Sequence, residues 1–291
     1  MAQRSGLGWR FLTAGVLVPI LLAVTFWLPP AFLLAFAVAA AAVAAWEGMA
    51  LAVPYPTVLD RAERSFGAGS AAAVAGLSAW AAAVRPEAAA AVFPAVFLAA
   101  MTLLVVRPRD LGTFAPRASG LIFVPLYVGL GLAVYPAFRL LFPDGVGGEL
   151  VILTMTLAFL GDTAAYFAGR FLGRRPLHPR LSPKKTIEGA VGGIVGSALA
   201  VALAAVWYLP ALGWIDVLLL ATIGGAAGQA GDLFESGLKR SVGLKDSGTL
   251  LPGHGGLLDR IDALIPTGFV TLAHFLLRPL WADGIGCGVF W

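Results

Sequence analysis

Residues 31–53 have the sequence AFLLAFAVAAAAVAAWEGMALAV, in which Glu47 is the one charged side chain. A helix that crosses the hydrocarbon layer of a bilayer needs about 20 consecutive, mostly apolar residues. This stretch has that length, and comparable stretches recur along the chain. The sequence therefore predicts an all-α, polytopic integral membrane protein with about nine transmembrane helices. The predicted spans are 11–28, 31–53, 66–84, 88–106, 119–142, 149–168, 188–209, 212–231 and 262–281.

The overall composition excludes the main alternatives to a helical membrane protein. Of the 291 residues, 59% are hydrophobic and only 12% are charged, whereas a soluble domain has about 25% charged residues. A disordered chain would need low hydrophobicity and high net charge, and the apolar runs are too long and continuous for alternating barrel strands. Cys287 is the single cysteine, which excludes an intramolecular disulfide and a multi-thiolate metal site.

The cations between the predicted spans indicate the orientation in the membrane. If the N-terminus is cytoplasmic, 17 of the 20 lysines and arginines lie in cytoplasmic segments, and only Arg85, Arg139 and Arg278 lie outside. Cytoplasmic loops of membrane proteins carry such an excess of positive charge. We therefore predict a multi-pass protein of the cell (inner) membrane with a cytoplasmic N-terminus and an external C-terminus.

The predicted organisation has three parts. Residues 1–118 hold about four N-terminal helices, residues 119–187 hold the middle helices and a basic cytoplasmic loop, and residues 188–291 hold the C-terminal helices with the candidate site. The longest polar stretches, 170–187 and 232–260, both fall on the cytoplasmic side. Ionisable groups beside a bilayer are costly and mark function by default, so the chemistry is expected in the second half of the chain.

The end of the eighth predicted span carries a polar helical face. If the helix continues beyond residue 231, five polar side chains share that face. They are Asp232, Glu235, Ser236, Lys239 and Arg240, at positions i, i+3, i+4, i+7 and i+8. A membrane helix would show an apolar stripe to lipid, so this face is expected to look into protein or into a water-filled cavity.

A glycine-rich loop is predicted to follow, between residues 241 and 256. It contains Lys245, Asp246 and His254 among its glycines. Glycines let backbone N–H groups approach an anion closely and form concave nests that bind phosphate. The loop is therefore a candidate phosphate-binding segment.

Two carboxylates stand at the mouth of the last predicted span. Asp259 and Asp262 are three residues apart, which places them on one helical face, and Arg260 lies between them. Together with Asp232 they could hold a hard divalent cation. Magnesium takes one or two protein carboxylates and completes its shell with substrate phosphates and water.

The upstream polar stretch offers a second set of candidates. Asp162 precedes it, and Ser182, Lys184, Lys185 and Thr186 follow, with Ser182 and Pro183 indicating a turn or a helix start. The lysines supply point charges for phosphate. A simpler interpretation is also open, because the six cations of 170–185 fit the ordinary charge bias of cytoplasmic loops. Asp162 and Glu47 equally fit buried carboxylates that are satisfied by partners.

Several segments in the second half of the chain carry motifs with fixed spacings. The main motif is Ser236-x-x-Lys239-Arg240-x4-Lys245-Asp246-x-Gly248, followed by Leu251-Pro252-Gly253-His254-Gly255-Gly256-x-x-Asp259-Arg260-x-Asp262. Three further segments match the same pattern. They are Gly231-Asp232-Leu233-x-Glu235-Ser236, Ser182-Pro183-Lys184-Lys185-Thr186-x-Glu188-Gly189 and Asp162-Thr163-x-Ala165-Tyr166-x-x-Gly169-Arg170. Together these motifs resemble the signature of one family, the phosphatidate cytidylyltransferases or CDP-diacylglycerol synthases. The resemblance is dense over about 160–265, whereas the first 150 residues resemble the family only in hydropathy.

The resemblance implies a reaction and its components. CTP and phosphatidic acid would give CDP-diacylglycerol and pyrophosphate at the cytoplasmic face of the lipid bilayer, in phospholipid biosynthesis. It implies Mg²⁺ as cofactor, with a second monovalent or divalent cation left open, a homodimer, and no nucleic-acid partner.

The resemblance also assigns roles to particular residues. Asp232 and Asp259 would be metal ligands, with Asp162, Asp246 and Asp262 as further candidates, and the catalytic set would be Asp232, Asp246, Asp259 and Asp262. The substrate-binding candidates are Ser182, Lys184, Lys185, Thr186, Ser236, Lys239, Arg240, Lys245, His254 and Arg260.

Elementary chemistry agrees with this reaction. Attack of a lipid phosphate on the α-phosphorus of CTP brings several negative charges together, and cations that screen them stabilise the leaving pyrophosphate. No side-chain nucleophile is needed, because a phosphate monoester is largely ionised at neutral pH. Three other classes stay open: a polytopic transporter, a membrane phosphotransferase that consumes a CDP-lipid, and a non-catalytic scaffold. Against the first, the charge lies at one face and in one half of the chain, without repeated interruptions at the midplane.

Overall fold

The computed structural model of the protein describes residues 7–52, 59–85, 88, 91–107, 109, 111–142, 145–248, 250 and 255–282, with side chains between residues 15 and 280 of those ranges. Within them nearly every element is a helix. In chain order the helices are α1 (Leu7–Phe26), α2 (Pro30–Leu51), α3 (Arg61–Val84), α4 (Val92–Val106), α5 (Phe114–Leu141), α6 (Val146–Leu172), α7 (Ile187–Trp207), α8 (Trp214–Leu219), α9 (Gly225–Ser241), α10 (Leu258–Ile261), α11 (Leu264–Leu277) and α12 (Pro279–Ala282).

Three short elements join these helices. A 3-10 turn, Leu111–Thr113, precedes α5, and a π-helical segment, Leu220–Gly224, connects α8 to α9. Between α6 and α7 the strands β1 (Pro176–His178) and β2 (Ser182–Thr186) form an antiparallel hairpin, in which Pro176 pairs with Thr186 and His178 with Ser182.

Seven helical segments are long and apolar enough to cross a membrane. They are Pro30–Leu51, Arg61–Val84, Leu111–Leu141, Val146–Leu172, Ile187–Trp207, Trp214–Ser241 and Leu258–Leu277, and two shorter apolar helices are Gly15–Phe26 and Val92–Val106. The all-α class is therefore confirmed for a multi-pass membrane protein, and each of the nine predicted spans overlaps a helix. The described chain divides into two compact units.

The first unit comprises Met1–Leu141 and Leu238–Ile261. In it α2, α3 and α5 pack against one another. The buried face of α2 is lined by Ala37, Ala41, Ala44 and Ala45, at helical spacing. Without a hydrophobic driving force between helices in lipid, such small residues allow the close approach that stabilises helix pairs.

A charged network closes one end of the first unit. Asp60 caps α3 by accepting the Glu63 N–H (2.8 Å), and Arg109 pairs with the same carboxylate (2.7 Å). The capping N–H, aided by the neighbouring guanidinium groups of Arg109 and Arg107, holds the pKa of Asp60 below its usual value. Glu63 is itself buried and receives a hydrogen bond from Arg117 Nε at 2.7 Å. These arginines therefore form structural contacts with the carboxylates of Asp60 and Glu63.

The second unit comprises Phe142–Gly237 and Asp262–Trp291. Its α6 and α7 pack along their length, because Gly192 and Gly196 of α7 lie directly against Ala168 and Ala164 of α6, where a side chain would collide. This is the small-residue contact expected of membrane helices.

A buried polar cluster ties α8 to α11 in the second unit. Asp216 accepts hydrogen bonds from Arg278 (3.0 Å) and lies 2.8 Å from His274 Nε2, and all three side chains are buried. Burying a charge is costly unless it is paired and hydrogen-bonded, and this cluster satisfies that condition.

Two local predictions differ from the structure. Ser182 and Pro183 were expected to form a turn or a helix start, but they lie in β2, and α7 begins only after Thr186. Asp259 and Asp262 were expected to share one helix, but the helix is interrupted by a turn at residues 262–263, between α10 and α11. In both places local spacing alone could not reveal where the helix stops or starts.

Candidate active site

The second unit contains a cavity of about 440 Å³ between α6, the hairpin, the start of α7 and α9. Its polar lining is Asp162, Arg170, Lys184, Lys185, Thr186, Gln229 and Asp232. The cavity therefore brings together the candidates from three separate segments of the sequence, and it combines cations with carboxylates.

The hairpin presents its lysines to the cavity because both of its ends are fixed. Thr186 caps α7 by accepting the Gly189 N–H at 3.1 Å. Glu188, in the first turn of α7, accepts the backbone N–H groups of Arg174 (3.0 Å) and Arg175 (3.2 Å) through one carboxylate oxygen. The chain is thereby folded back on itself before α7 starts.

Asp232 lies on α9 and forms an ion pair with Lys185, with 2.5 Å between Oδ2 and Nζ. Both side chains keep about 30% of their surface exposed, at 28% for Lys185 and 30% for Asp232. Ser236 Oγ, one turn further along α9, lies 3.4 Å from Asp232 Oδ1. Gln229, one turn earlier, donates to the Ala190 carbonyl at 3.0 Å and so joins α9 to α7.

The first unit holds a second lysine–aspartate pair. Lys239 Nζ lies 2.7 Å from Asp259 Oδ1, and these side chains are only 11% and 7% exposed. Asp259 Oδ2 also accepts the backbone N–H groups of Ser247 (3.0 Å) and Gly256 (2.9 Å). The carboxylate of Asp259 thus links residues 247 and 256 of the glycine-rich loop.

The remaining candidates lie outside these two clusters. Lys245, Asp246 and Arg260 are exposed, and the predicted His254 lies outside the described residues. Arg240 donates to the Leu244 carbonyl at 3.0 Å, just beyond the end of α9. Asp262 accepts its neighbour's N–H, from Ala263, at 2.7 Å within the turn before α11.

Two observations concern the binding of a metal ion. The described residues contain no group of three or more His, Cys, Asp or Glu side chains placed to hold one. In the second unit, however, Asp162 and Asp232 line one cavity with two lysines. Magnesium uses one or two protein carboxylates together with substrate phosphates and water, so the donor chemistry of these two carboxylates fits a divalent ion.

Three residues with roles in these clusters were not among the predicted site residues. Gln229 follows the same helical period as Asp232 and Ser236, so periodicity is a signal that could have found it. Glu188 stands in a quoted motif, but its two backbone partners are visible only in the fold. Glu47 was interpreted as a satisfied buried carboxylate, and this is confirmed, since it is 6% exposed and accepts the Leu258 N–H at 2.9 Å.

The fold and the cavity define a class: a multi-pass α-helical membrane protein with a polar cavity lined by both lysines and carboxylates. The chain belongs to the cytidylyltransferase family, whose model matches residues 9–278.

Individual relatives carry a more specific name. The phosphatidate cytidylyltransferase of Bacillus subtilis is 38% identical over 178 residues, covering 60% of this chain and 63% of the relative. That of Staphylococcus haemolyticus is 44% identical over 140 residues, covering 48% of this chain and 52% of the relative, and that of Staphylococcus aureus (strain COL) is 41% identical with the same coverage. The matches thus span about half to two thirds of each relative.

Proposed function

We propose that the protein is a phosphatidate cytidylyltransferase, which converts CTP and phosphatidic acid to CDP-diacylglycerol and pyrophosphate. Family membership and the names of the relatives support this activity. The observation that carries the proposal is the cavity of the second unit, where Lys184, Lys185 and two carboxylates meet beside apolar helices. That combination suits a lipid phosphate and a nucleotide triphosphate better than it suits a neutral substrate.

In the proposed reaction, a phosphate oxygen of phosphatidic acid forms a bond to the α-phosphorus of CTP. The bond from that phosphorus to the oxygen bridging to the β-phosphate breaks, and pyrophosphate leaves with the electron pair. Lys184 and Lys185 would bind phosphate oxygens as point charges. Ser182, Thr186 and Ser236 are candidates for hydroxyl contacts, and Lys239, Arg240, Lys245, His254 and Arg260 for further substrate contacts, as the family resemblance implies.

We propose that Asp232 is a ligand of a divalent cation, with Mg²⁺ as the ion and Asp162 as a second candidate ligand in the same cavity. When bound, such an ion would screen the phosphate charges and stabilise the leaving pyrophosphate. The assignments of Asp259, Asp246 and Asp262 to the metal or to catalysis rest on the resemblance. A second cation, monovalent or divalent, rests on the same resemblance.

The arrangement in the membrane is proposed from charge and hydropathy. We propose nine spans, the cytoplasmic N-terminus and external C-terminus described above, an active site at the cytoplasmic face of the cell membrane, and a homodimer. Single cysteines at Arg180 and Leu244, both exposed, test the orientation in a Cys287→Ser background. They should react with membrane-impermeant thiol reagents only after the cells are opened, and labelling in intact cells would refute this orientation.

The activity is tested with purified protein in detergent micelles. Labelled CTP and phosphatidate should give CDP-diacylglycerol without any ion or solute gradient, and chelation of divalent ions should stop the reaction. A transporter would give no product under these conditions. Consumption of CDP-diacylglycerol with an alcohol acceptor, instead of its synthesis, would favour a phosphotransferase of the other kind.

A further inference from the structure

Glu47 is a buried acidic side chain for which the proposed reaction has no use. It lies in α2, within a stretch of alanines, with only 6% of its surface exposed. Its Oε2 accepts the backbone N–H of Leu258 at 2.9 Å, across a sequence separation of 211 residues. Burial of a carboxylate is costly unless hydrogen bonds compensate for the lost water, and the Leu258 N–H supplies part of that compensation.

Two glycines of the glycine-rich loop lie against the same carboxylate. A Cβ atom on Gly256 would come within 2.6 Å of Glu47 Oε2, and one on Gly248 would collide with Glu47 Oε1. Neither position can accept a side chain while Glu47 keeps its place. Two glycines that the sequence indicates as phosphate-nest residues are therefore also required by the approach of Glu47.

The loop is held from a second direction by Asp259. That carboxylate accepts the N–H groups of Ser247 and Gly256 and pairs with Lys239. All these residues, together with Glu47, belong to the first unit. The backbone at residues 247, 256 and 258 is thus held by one carboxylate from α2 and one from Asp259, and α10 packs against α2.

We propose that Glu47 is a positioning residue of the enzyme, which fixes the glycine-rich loop so that Asp259 and Lys239 keep one geometry. The proposal rests on the proposed function only for its catalytic consequence. Glu47 itself would not contact substrate, because only 6% of its surface is exposed. A shift of about 1 Å in a catalytic group can cost about 100-fold in rate, so loss of this contact should appear in kcat.

The test compares Glu47→Ala with Glu47→Gln, which keeps a carbonyl oxygen as acceptor for the Leu258 N–H. Hydrogen–deuterium exchange of peptides covering 245–260 reports the loop directly, and steady-state synthesis of CDP-diacylglycerol reports kcat and KM. Glu149→Ala is the matched control, since Glu149 is a partly buried helical carboxylate of the other unit.

Glu47→Ala should raise exchange in the loop and lower kcat, both by about 10–100-fold, with exchange in α6 and α7 unchanged. Glu47→Gln should stay within about threefold of the wild type, and Glu149→Ala should not affect the loop. If Glu47→Ala does not fold, Glu47→Asp takes its place, because it withdraws the carboxylate by one methylene and should loosen the same peptides.

The proposal is wrong if loop exchange is unchanged, if it rises equally throughout the chain, or if the loop loosens while kcat stays the same. The exchange comparison needs no substrate. A wild-type protein that makes no CDP-diacylglycerol would therefore refute the proposed function. The exchange data would still show whether Glu47 holds the loop.

Discussion

Two lysine–aspartate pairs, one in each unit, have nearly the same length but different surroundings. Lys185 and Asp232 are 2.5 Å apart, line a cavity and each keep close to 30% exposure. Lys239 and Asp259 are 2.7 Å apart, are at most 11% exposed, and Asp259 also accepts two backbone N–H groups. The same type of ion pair thus occurs once at an accessible surface and once in the protein interior.

The difference in burial predicts a difference in role. An exposed ion pair contributes about 0–1 kcal/mol to stability. Lys185 can therefore leave Asp232 to bind a phosphate, and Asp232 can leave Lys185 to bind a cation, at little cost in free energy. A buried pair is costly to break, because the remaining charge stays desolvated and loses its opposite charge. Lys239 and Asp259 should therefore matter for the folded loop as well as for turnover.

The largest effect is expected from Asp259→Asn. The substitution keeps the volume but removes the charge that pairs with the buried Lys239 ammonium, which should destabilise the protein by about 3–5 kcal/mol. A lower midpoint of thermal unfolding in detergent would show this, and synthesis of CDP-diacylglycerol should fall by several orders of magnitude if Asp259 is a metal ligand. Asp246→Asn, in the same loop but exposed, should leave the unfolding midpoint unchanged.

A double variant separates the effect of the unbalanced charge from the effect of the changed side-chain shape. Lys239→Met combined with Asp259→Asn removes both charges, so it should recover part of the stability that Asp259→Asn loses. Equal midpoints for Asp259→Asn and Asp246→Asn would contradict the buried role, and the contrast between the two pairs would then disappear.

A smaller effect is expected at the exposed pair, and only in catalysis. Lys185→Ala should remove the proposed charge-assisted phosphate contact, worth about 1.5–3 kcal/mol, which corresponds to roughly ten- to more than a hundredfold in kcat/KM. Arg180→Ala is the matched control, since Arg180 is an exposed cation of the same hairpin outside the cavity lining. Equal losses at both positions would mean that the hairpin is merely basic and provides no specific site.

The helices were predictable because their signal is local. Twenty apolar residues specify a membrane helix whatever surrounds them, and each predicted span overlaps a helix of the structure. The hairpin was not predictable, because its strands have only three and five residues and its shape depends on the backbone contacts of Glu188. The turn at 262–263 between α10 and α11 likewise left no signal in the spacing of Asp259 and Asp262.

Several residues that line the cavity were named from the sequence, but their arrangement was not. Lys184, Lys185 and Asp232 were each expected from charge and spacing, yet that they meet in one cavity with Asp162 is a property of the tertiary fold. Glu47 shows the limit most clearly. Its isolation in an apolar stretch marked it as a buried carboxylate, whereas its partner, Leu258, lies 211 residues away and contributes only a backbone N–H.

The smallest expected effect is the contribution of Lys185 and Asp232 to stability, and it is the sharpest test of the contrast. In a double-mutant cycle of Lys185→Ala and Asp232→Ala, the coupling in unfolding free energy should stay below about 1 kcal/mol, because water screens both groups and the lysine side chain loses conformational entropy when it is held in the pair. The corresponding cycle of Lys239→Ala and Asp259→Ala should give a clearly larger coupling, since each single substitution strands a buried charge. Raising ionic strength from 0.1 to 1 M shortens the screening length from about 10 to about 3 Å, so it should weaken the small coupling further and leave the large one nearly intact. A coupling for Lys185 and Asp232 as large as that of the buried pair would show that the cavity pair is a structural brace, and its lysine could then not be released to substrate phosphate at low cost.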